Sequence, residues 1–237
     1  MLRTAQAFTC IELMAVLVVL ALLGVFALPL FAAARADSDR AGCFSNLRQI
    51  NRGAMSWAAD QGDRIPWLTP VAEGGTFTNA LRTSAVWLEF LTFSNELSSP
   101  RLLACPADGS VKVASIWISG PGALTTTGYR HQSVSYLIGL HTSLTTPASL
   151  LCADRNVDVS RSSDCGTAFI TGSFSLDGPD PALGWTNAVH GASGHIATMN
   201  GAVSYTGRTG WHDYLHSPGS GSGAGDPGPQ THILRDR

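Results

Sequence analysis

The sequence predicts an α+β protein in which one long N-terminal α-helix packs on a C-terminal antiparallel β-sheet domain, with the first half of the helix crossing a membrane. Three observations support this prediction. An apolar run of 22 residues, Leu13 to Ala34, contains no charged residue. Apolar residues spaced three and four apart follow that run, as on one face of a helix. Short β-like runs separated by turn residues occupy most of the remaining chain.

The composition limits the classes of function. The chain has 237 residues, enough for one domain of ordinary size with appendages. Only 14% of its residues are charged, against roughly 25% in an average soluble protein. The formal net charge is −2, so the basic surface expected of a nucleic-acid-binding protein is missing and no nucleic acid is predicted as a partner.

The apolar run is long enough to cross a membrane, because 22 helical residues rise about 33 Å and a bilayer core is about 30 Å thick. We therefore predict that residues 8–34 form the transmembrane half of the helix. One carboxylate, Glu12, directly precedes the run, although a charge costs roughly 2.5–3.5 kcal/mol at the centre of a span. A cleaved secretory signal ending near residues 32–36 is the alternative, but its apolar region is usually only about 7–15 residues long.

The helix is predicted to continue through residues 35–61 as an amphipathic, membrane-external half. Its apolar stripe consists of Phe44, Leu47, Ile50, Ala54 and Trp57. Its predicted polar face consists of Arg40, Arg48, Asn51 and Arg52. Gly62 is placed to end the helix, and Pro66 prevents its early resumption.

Residues 62–216 are predicted to form the β-sheet domain. Its strand candidates are the runs at 101–105, 133–140, 149–154 and 166–176. The clearest hairpin signal is Asn200-Gly201 between two strand-like runs, a dipeptide typical of two-residue type I′ turns. Residues 217–237 are rich in Gly, Pro and Ser and are predicted to form a flexible tail.

The residues that precede the apolar run resemble a known signal. "AFTCIEL", residues 7–13, is similar to the cleavage and methylation motif of type IV pilins and type II secretion pseudopilins, which usually reads Gly followed by Phe-Thr-Leu-Ile-Glu. Ala7 stands at the glycine position and Cys10 at the leucine position, so the chain departs from the motif twice. Pro29 stands where many of these proteins carry a helix-loosening proline.

This resemblance implies a pilin-like fold and a structural function. Residues 1–7 would be a leader that a prepilin peptidase removes by cutting between Ala7 and Phe8, with methylation of the Phe8 amine. Glu12 would pair with the amine of an adjacent subunit, because a buried charge needs a partner. The chain would be a single-pass protein of the bacterial inner membrane, cytoplasmic at its N-terminus and periplasmic at its C-terminus. Its partners would be membrane lipid, other pseudopilins in a filament and the assembly platform.

Three further stretches resemble the pseudopilin-like proteins of planctomycetes and verrucomicrobia. They are "CFSNLRQI" at 43–50, "LLACPAD" at 102–108, and a late histidine, His190, followed by Asn200-Gly201. The hairpin more often reads Asp-Gly in those proteins, so Asn200 is a departure. Whether such a filament serves secretion, motility, adhesion or DNA uptake is left open by the sequence.

The four cysteines that follow the apolar run predict disulfides, since the resemblance places them on the oxidising side of the membrane. Four cysteines allow three connectivities. We predict Cys43–Cys105, which joins the helix to the sheet domain, and Cys152–Cys165, which closes a short loop. Their spacings do not match those of common zinc sites.

The less favoured alternative is a membrane-anchored periplasmic domain. It would act either as a binding domain or as a metal-dependent enzyme. "HGASGH" and "WHDYLH", residues 190–195 and 211–216, each place two histidines at a spacing that could ligate a metal, although ordinary turn histidines are the simpler interpretation. Ser193 lacks the Gly-x-Ser-x-Gly context of a hydrolase nucleophile, so no catalytic residue is predicted. Asp177 and Asp180 offer two oxygen ligands for calcium, which normally takes six to eight; no other cofactor is predicted.

Overall fold

The architecture is that of an α+β protein, as the sequence predicts. A computed structural model describes residues 9–77, 85–158, 173–175, 184–215 and 232–234. The α-helices are α1 (Cys10–Asp60), α2 (Val86–Thr92) and α3 (Gly210–Leu215). The strands are β1 (Tyr136–Gly139), β2 (Leu150–Asp154), β3 (Val157–Asp158), β4 (Ser173–Ser175), β5 (Gly184–Trp185), β6 (Gly194–Thr198), β7 (Val203–Thr206) and β8 (His232–Leu234).

The chain divides into two compact units, Met1–Asp39 and Arg40–Arg237, and α1 contributes to both. In the second unit, one face of α1 is buried in the hydrophobic core. Its buried apolar residues are Cys43, Leu47, Ile50, Ala54, Trp57 and Ala58. The predicted apolar stripe is therefore largely confirmed, with Phe44 half-buried at its edge.

Asn51 corrects the predicted polar face of α1. It is 1% exposed, and its side-chain amide donates a hydrogen bond to the carbonyl of Thr198 at 2.6 Å. A buried amide needs such a partner. Asn51 therefore joins α1 to the end of β6, whereas the neighbouring Arg52 remains exposed.

The end of α1 follows from Gly62, as predicted. The helix ends at Asp60, and Gly62 adopts a left-handed conformation with φ +63°. The backbone N–H of Asp63 then donates to the carbonyl of Ala58 at 2.9 Å. Glycine reaches this conformation without the steric cost that a side chain brings.

The main sheet has six strands in the order β4-β8-β1-β2-β6-β7, and each neighbouring pair is antiparallel. The central strands β1 and β2 pair Tyr136 with Asp154 and Ile138 with Cys152. A register irregularity between Leu150 and Cys152 interrupts the pairing of β2 with β6. Strands β3 and β5 form a separate two-stranded antiparallel sheet.

The β6–β7 hairpin is confirmed, but its predicted turn type is wrong. Gly201 has a positive φ of +87°, and Asn200 does not, so the turn is not type I′. The N–H of Gly201 donates to the carbonyl of Thr198 at 3.0 Å, and the N–H of Thr198 donates to the carbonyl of Ala202 at 2.9 Å. This is a three-residue loop, and the Asn200 side chain stabilises it by accepting from the Ala202 N–H at 3.0 Å.

The run at 101–105 is not a strand. Pro100–Leu103 forms a 3₁₀ helix, and the Ser99 hydroxyl accepts a hydrogen bond from the N–H of Arg101 at its start. Proline favours the first turn of a helix and lacks the N–H that a strand would need. This local signal outweighed the apolar run that predicted a strand.

Candidate functional site

Helix α1 begins with a capping box, formed by Thr9 and Glu12. The Thr9 backbone N–H and the Thr9 hydroxyl each donate to Oε2 of Glu12 at 2.8 Å. In return, the Glu12 N–H donates to the Thr9 hydroxyl oxygen at 3.4 Å. These bonds satisfy donors that the first turn of a helix leaves unpaired. The Glu12 carboxylate therefore has partners within its own helix turn.

The apolar half of α1 exposes nearly all of its side chains. Its large hydrophobic residues from Ile11 to Phe31 are 47–78% exposed, and Pro29 lies inside the helix. By length and composition, this helix near the N-terminus can cross a membrane. The predicted cleavage and methylation residues, Ala7 and Phe8, lie outside the described residues.

A disulfide joins α1 to the rest of the second unit. Cys43 and Cys105 are bonded, with their Cα atoms 5.0 Å apart, and both residues are buried. The predicted pairing of these two cysteines is therefore present. It connects the buried face of α1 to the segment that follows the Pro100–Leu103 turn.

Cys152, one half of the predicted Cys152–Cys165 pair, is a free thiol in the structure. Cys152 lies in β2 between two neighbouring strands and is fully buried in the main core. Burial raises the pKa of this thiol far above its usual range, and the nearby Asp154 carboxylate adds to the effect. A neutral buried thiol acts as a small apolar core residue. Cys165 lies outside the described residues.

A buried cluster of one carboxylate and two imidazoles lies beside this disulfide. Oδ2 of Asp154 is 2.9 Å from Nδ1 of His195 and 3.5 Å from Nε2 of His190. All three side chains are at most 2% exposed. Nε2 of His190 is also 3.3 Å from Sγ of Cys105. We call Asp154, His190 and His195 the Asp-His-His cluster.

Strand pairing positions two members of the Asp-His-His cluster. Asp154 ends β2 and His195 lies in β6, where the register pairs Ala153 with Ile196. The Asp154 carboxylate also accepts a hydrogen bond from the backbone N–H of His195 at 2.7 Å. This bond fixes the carboxylate at the point where the β2–β6 ladder ends.

The loop before β6 positions His190. The Asn156 side-chain amide donates to the carbonyls of Thr186 and Ser193, at 2.9 and 3.0 Å. The Ser193 hydroxyl donates to the His190 carbonyl at 2.5 Å. These bonds hold the loop against Asn156, two residues after β2 ends, and the His190 ring reaches the same carboxylate oxygen as the His195 ring.

Tyr205 lies beside both histidine rings of the Asp-His-His cluster. Its ring centroid lies 5.0 Å from that of His195 and 6.3 Å from that of His190, and Tyr205 itself is 45% exposed. The Arg40 guanidinium lies 5.7 Å from the centroid of the Tyr205 ring. The Phe44 ring also lies beside His195, with 6.3 Å between centroids, so aromatic rings from β7 and α1 border the cluster.

The nearest arginine in the sequence does not neutralise Asp154. Arg155 binds Asp108 instead, with Nε 2.8 Å from Oδ2 and Nη2 3.1 Å from Oδ1. Burial acts to raise the pKa of Asp108, but hydrogen bonds from Ser110 and Arg155 and the Arg155 charge outweigh burial and lower it. The imidazoles of His190 and His195, and not the Arg155 guanidinium, contact the Asp154 carboxylate.

Sequence reasoning found some of these residues and missed others. The two histidines of "HGASGH" were candidates, and both are buried, whereas ordinary turn histidines would be expected at the surface. The sequence pattern places Asp154 in a strand and does not indicate a role as a ligand. The capping box was missed, although Thr9 and Glu12 match its Thr-x-x-Glu signature. The calcium candidates Asp177 and Asp180, and His216 of "WHDYLH", lie outside the described residues.

Comparisons with protein-family models, with curated proteins and with solved structures find no match to this chain.

Proposed function

We propose that this protein is a structural subunit of a type II secretion pseudopilus or type IV pilus-like filament. In this proposal, a prepilin peptidase cuts between Ala7 and Phe8 and methylates the new N-terminus. The apolar half of α1 is held in the inner membrane until assembly and then packs against the same segment of other subunits. The protein forms and supports the filament and does not catalyse a reaction.

The exposed apolar half of α1 is the observation that carries the proposal. Its large hydrophobic side chains have no covering partner among the described residues, with 47–78% exposure from Ile11 to Phe31. An apolar surface of this size must be covered by lipid or by other protein. A subunit that moves from the membrane to the filament replaces its contacts with lipid by contacts with other subunits. The disulfide-bonded sheet unit remains folded throughout.

The capping box refines the role of Glu12. Thr9 supplies hydrogen bonds to the carboxylate but no positive charge, so the cap lowers the cost of burying Glu12 without neutralising it. A cationic amine on Phe8 of an adjacent subunit would supply the missing charge, because buried ions are stable only when paired. The cap would keep the carboxylate ready for that contact.

Intact-mass and peptide mass spectrometry of membrane-extracted protein test the processing step. We expect the N-terminal peptide to begin at Phe8 and to carry one methyl group. A matched Phe8→Ala variant should lose methylation or cleavage while the sheet unit folds normally. A chain that retains Met1, or one cut near residue 36 as a secretory signal would be, contradicts the proposal.

Two variants separate the charge of Glu12 from its capping role. Glu12→Gln keeps an acceptor that can form a capping box but removes the charge, so it should be cleaved normally and yield no sheared filaments. Thr9→Ala removes the cap, at about 1 kcal/mol of helix stability, but keeps the charge, and filaments should still form. Electron microscopy of sheared fractions and immunoblotting measure both outcomes.

Normal filaments from Glu12→Gln would show that pairing in trans is not needed. Loss of filaments from Thr9→Ala alone would assign Glu12 a capping role instead.

A further inference from the structure

We propose that the Asp-His-His cluster binds one divalent metal ion of the zinc class through Asp154, His190 and His195. This site is independent of the filament proposal, because all its residues belong to the second unit. It would act as a structural site that fastens the loop before β6 to the end of β2.

The donor atoms are close enough to share one ion. Oδ2 of Asp154 lies 2.9 and 3.5 Å from the two imidazole nitrogens, and the three donor atoms all lie within 4.8 Å of one another. Ligands bound to one zinc ion at about 2.1 Å are separated by about 3.4 Å in a tetrahedral site. Small side-chain adjustments would therefore suffice to admit an ion.

Charge balance favours a cation at this position. The Asp154 residue is fully buried, and a buried carboxylate is stable only with a positive partner. Two imidazole rings direct nitrogens to the same carboxylate oxygen. The second ring is unnecessary for a salt bridge, whereas a metal site uses both.

The second carboxylate oxygen supports the same conclusion. Within the described part of the chain, Oδ1 of Asp154 is buried and has no hydrogen-bond partner. Such atoms are rare in folded proteins and call for an explanation. A metal ion beside the carboxylate would contact this oxygen or draw it into its coordination shell.

The surroundings of the cluster resemble the outer shell of a metal site. The backbone N–H of His195 already holds the Asp154 carboxylate at 2.7 Å, and outer hydrogen bonds of this kind orient metal ligands. The Tyr205 ring lies 5.0 Å from the His195 ring and 6.3 Å from the His190 ring, between centroids. Three protein ligands leave the fourth tetrahedral position to a water molecule. Because all three side chains are at most 2% exposed, this position would be enclosed by protein, and we infer that the ion stabilises the fold.

Metal binding by the purified, detergent-solubilised full chain tests the proposal, with the disulfide kept intact. After treatment with EDTA, the protein is incubated with Zn²⁺ alone or Co²⁺ alone and passed through gel filtration. We expect one bound ion per chain by elemental mass spectrometry, visible absorption bands for Co²⁺, and a melting temperature that rises with Zn²⁺ concentration.

Variants then locate the ion. Asp154→Asn, His190→Gln and His195→Gln should each weaken Zn²⁺ binding by more than about 100-fold, since even outer-shell changes cost 10–100-fold. His131→Gln is the matched control, because His131 is exposed; its binding should equal that of the native chain. Near-ultraviolet circular dichroism identifies any variant that fails to fold.

Measurements on the native chain alone can overturn the proposal. Absence of bound Zn²⁺, of Co²⁺ bands and of a melting shift would do so whatever the variants show. Binding that survives replacement of both histidines would place the ion elsewhere. Binding that appears only after reduction, and is lost in Cys43→Ser, would assign the metal to Cys43, Cys105 and His190 and reject the site proposed here.

Discussion

At the scale of single residues, Gly139 lies at a close approach between the backbones of β1 and β2. A Cβ atom at this position would overlap the carbonyl oxygen of Leu150, which belongs to the neighbouring strand β2. The Gly139 carbonyl also accepts hydrogen bonds from the indole N–H of Trp67 at 3.0 Å and from the hydroxyl of Thr142 at 2.8 Å. The backbone here is fixed on several sides and cannot shift to admit a methyl group.

We therefore expect Gly139→Ala to lower the free energy of unfolding by about 1–3 kcal/mol, the usual cost of overpacking. Urea unfolding of the full chain in detergent, followed by tryptophan fluorescence, measures the loss. Gly109→Ala is the control, because nothing lies within 4 Å of a Cβ at that position; its effect should stay within about 0.5 kcal/mol. Equal stability of the two variants would mean that β1 and β2 are less tightly paired than described.

At the scale of elements, α1 combines two kinds of surface in one helix. From Ile11 to Phe31 its large side chains are exposed, whereas from Cys43 to Ala58 one face is buried in the core. The first segment is apolar all round and the second is amphipathic, so the same periodicity serves two different environments. This contrast is why α1 supports the proposed membrane and filament roles as well as the fold of the second unit.

Strand β2 has the complementary role inside the sheet. All five of its residues are buried, and it pairs with both β1 and β6. Its side chains reach two separate apolar clusters, with Cys152 in one and Ala153 in the other. Asp154, the last residue of β2, brings a carboxylate into the interior. The two histidines of the Asp-His-His cluster contact this carboxylate.

At the scale of the whole molecule, the Cys43–Cys105 disulfide cross-links α1 to the segment that follows the Pro100–Leu103 3₁₀ helix. It joins residues 62 positions apart. Cross-links of this kind stabilise small domains mainly by restricting the unfolded chain. The disulfide thus adds to the noncovalent packing that already holds the helix on the sheet.

Replacing both cysteines by serine should lower the free energy of unfolding by about 2–4 kcal/mol. Adding dithiothreitol should produce a similar loss in the native chain and no further loss in the double variant, as measured by thermal unfolding in detergent. Cys10→Ser is the matched control, since Cys10 is exposed and unpaired. An unchanged melting temperature on reduction would show that the disulfide contributes nothing to stability.

Patterns local in the chain were sufficient to predict the long helix, its termination near Gly62, the amphipathic stripe and the β6–β7 hairpin. Each depends on side-chain spacing or turn chemistry within a few residues. The Cys43–Cys105 and Cys152–Cys165 pairs together make one of the three connectivities that four cysteines allow. The first pair is bonded, whereas Cys152 is a free thiol and Cys165 lies outside the described residues.

Only the tertiary structure brought the Asp-His-His cluster together. Asp154 and His195 are 41 positions apart in the chain. His190 is 85 positions from Cys105, the neighbouring disulfide cysteine that it contacts. Their meeting depends on which strands pair and in which register, and a shift of one residue turns every side chain to the opposite face. Spacing within "HGASGH" could suggest a pair of ligands, but the third ligand and the burial of all three were decided by the pairing of β2 with β6.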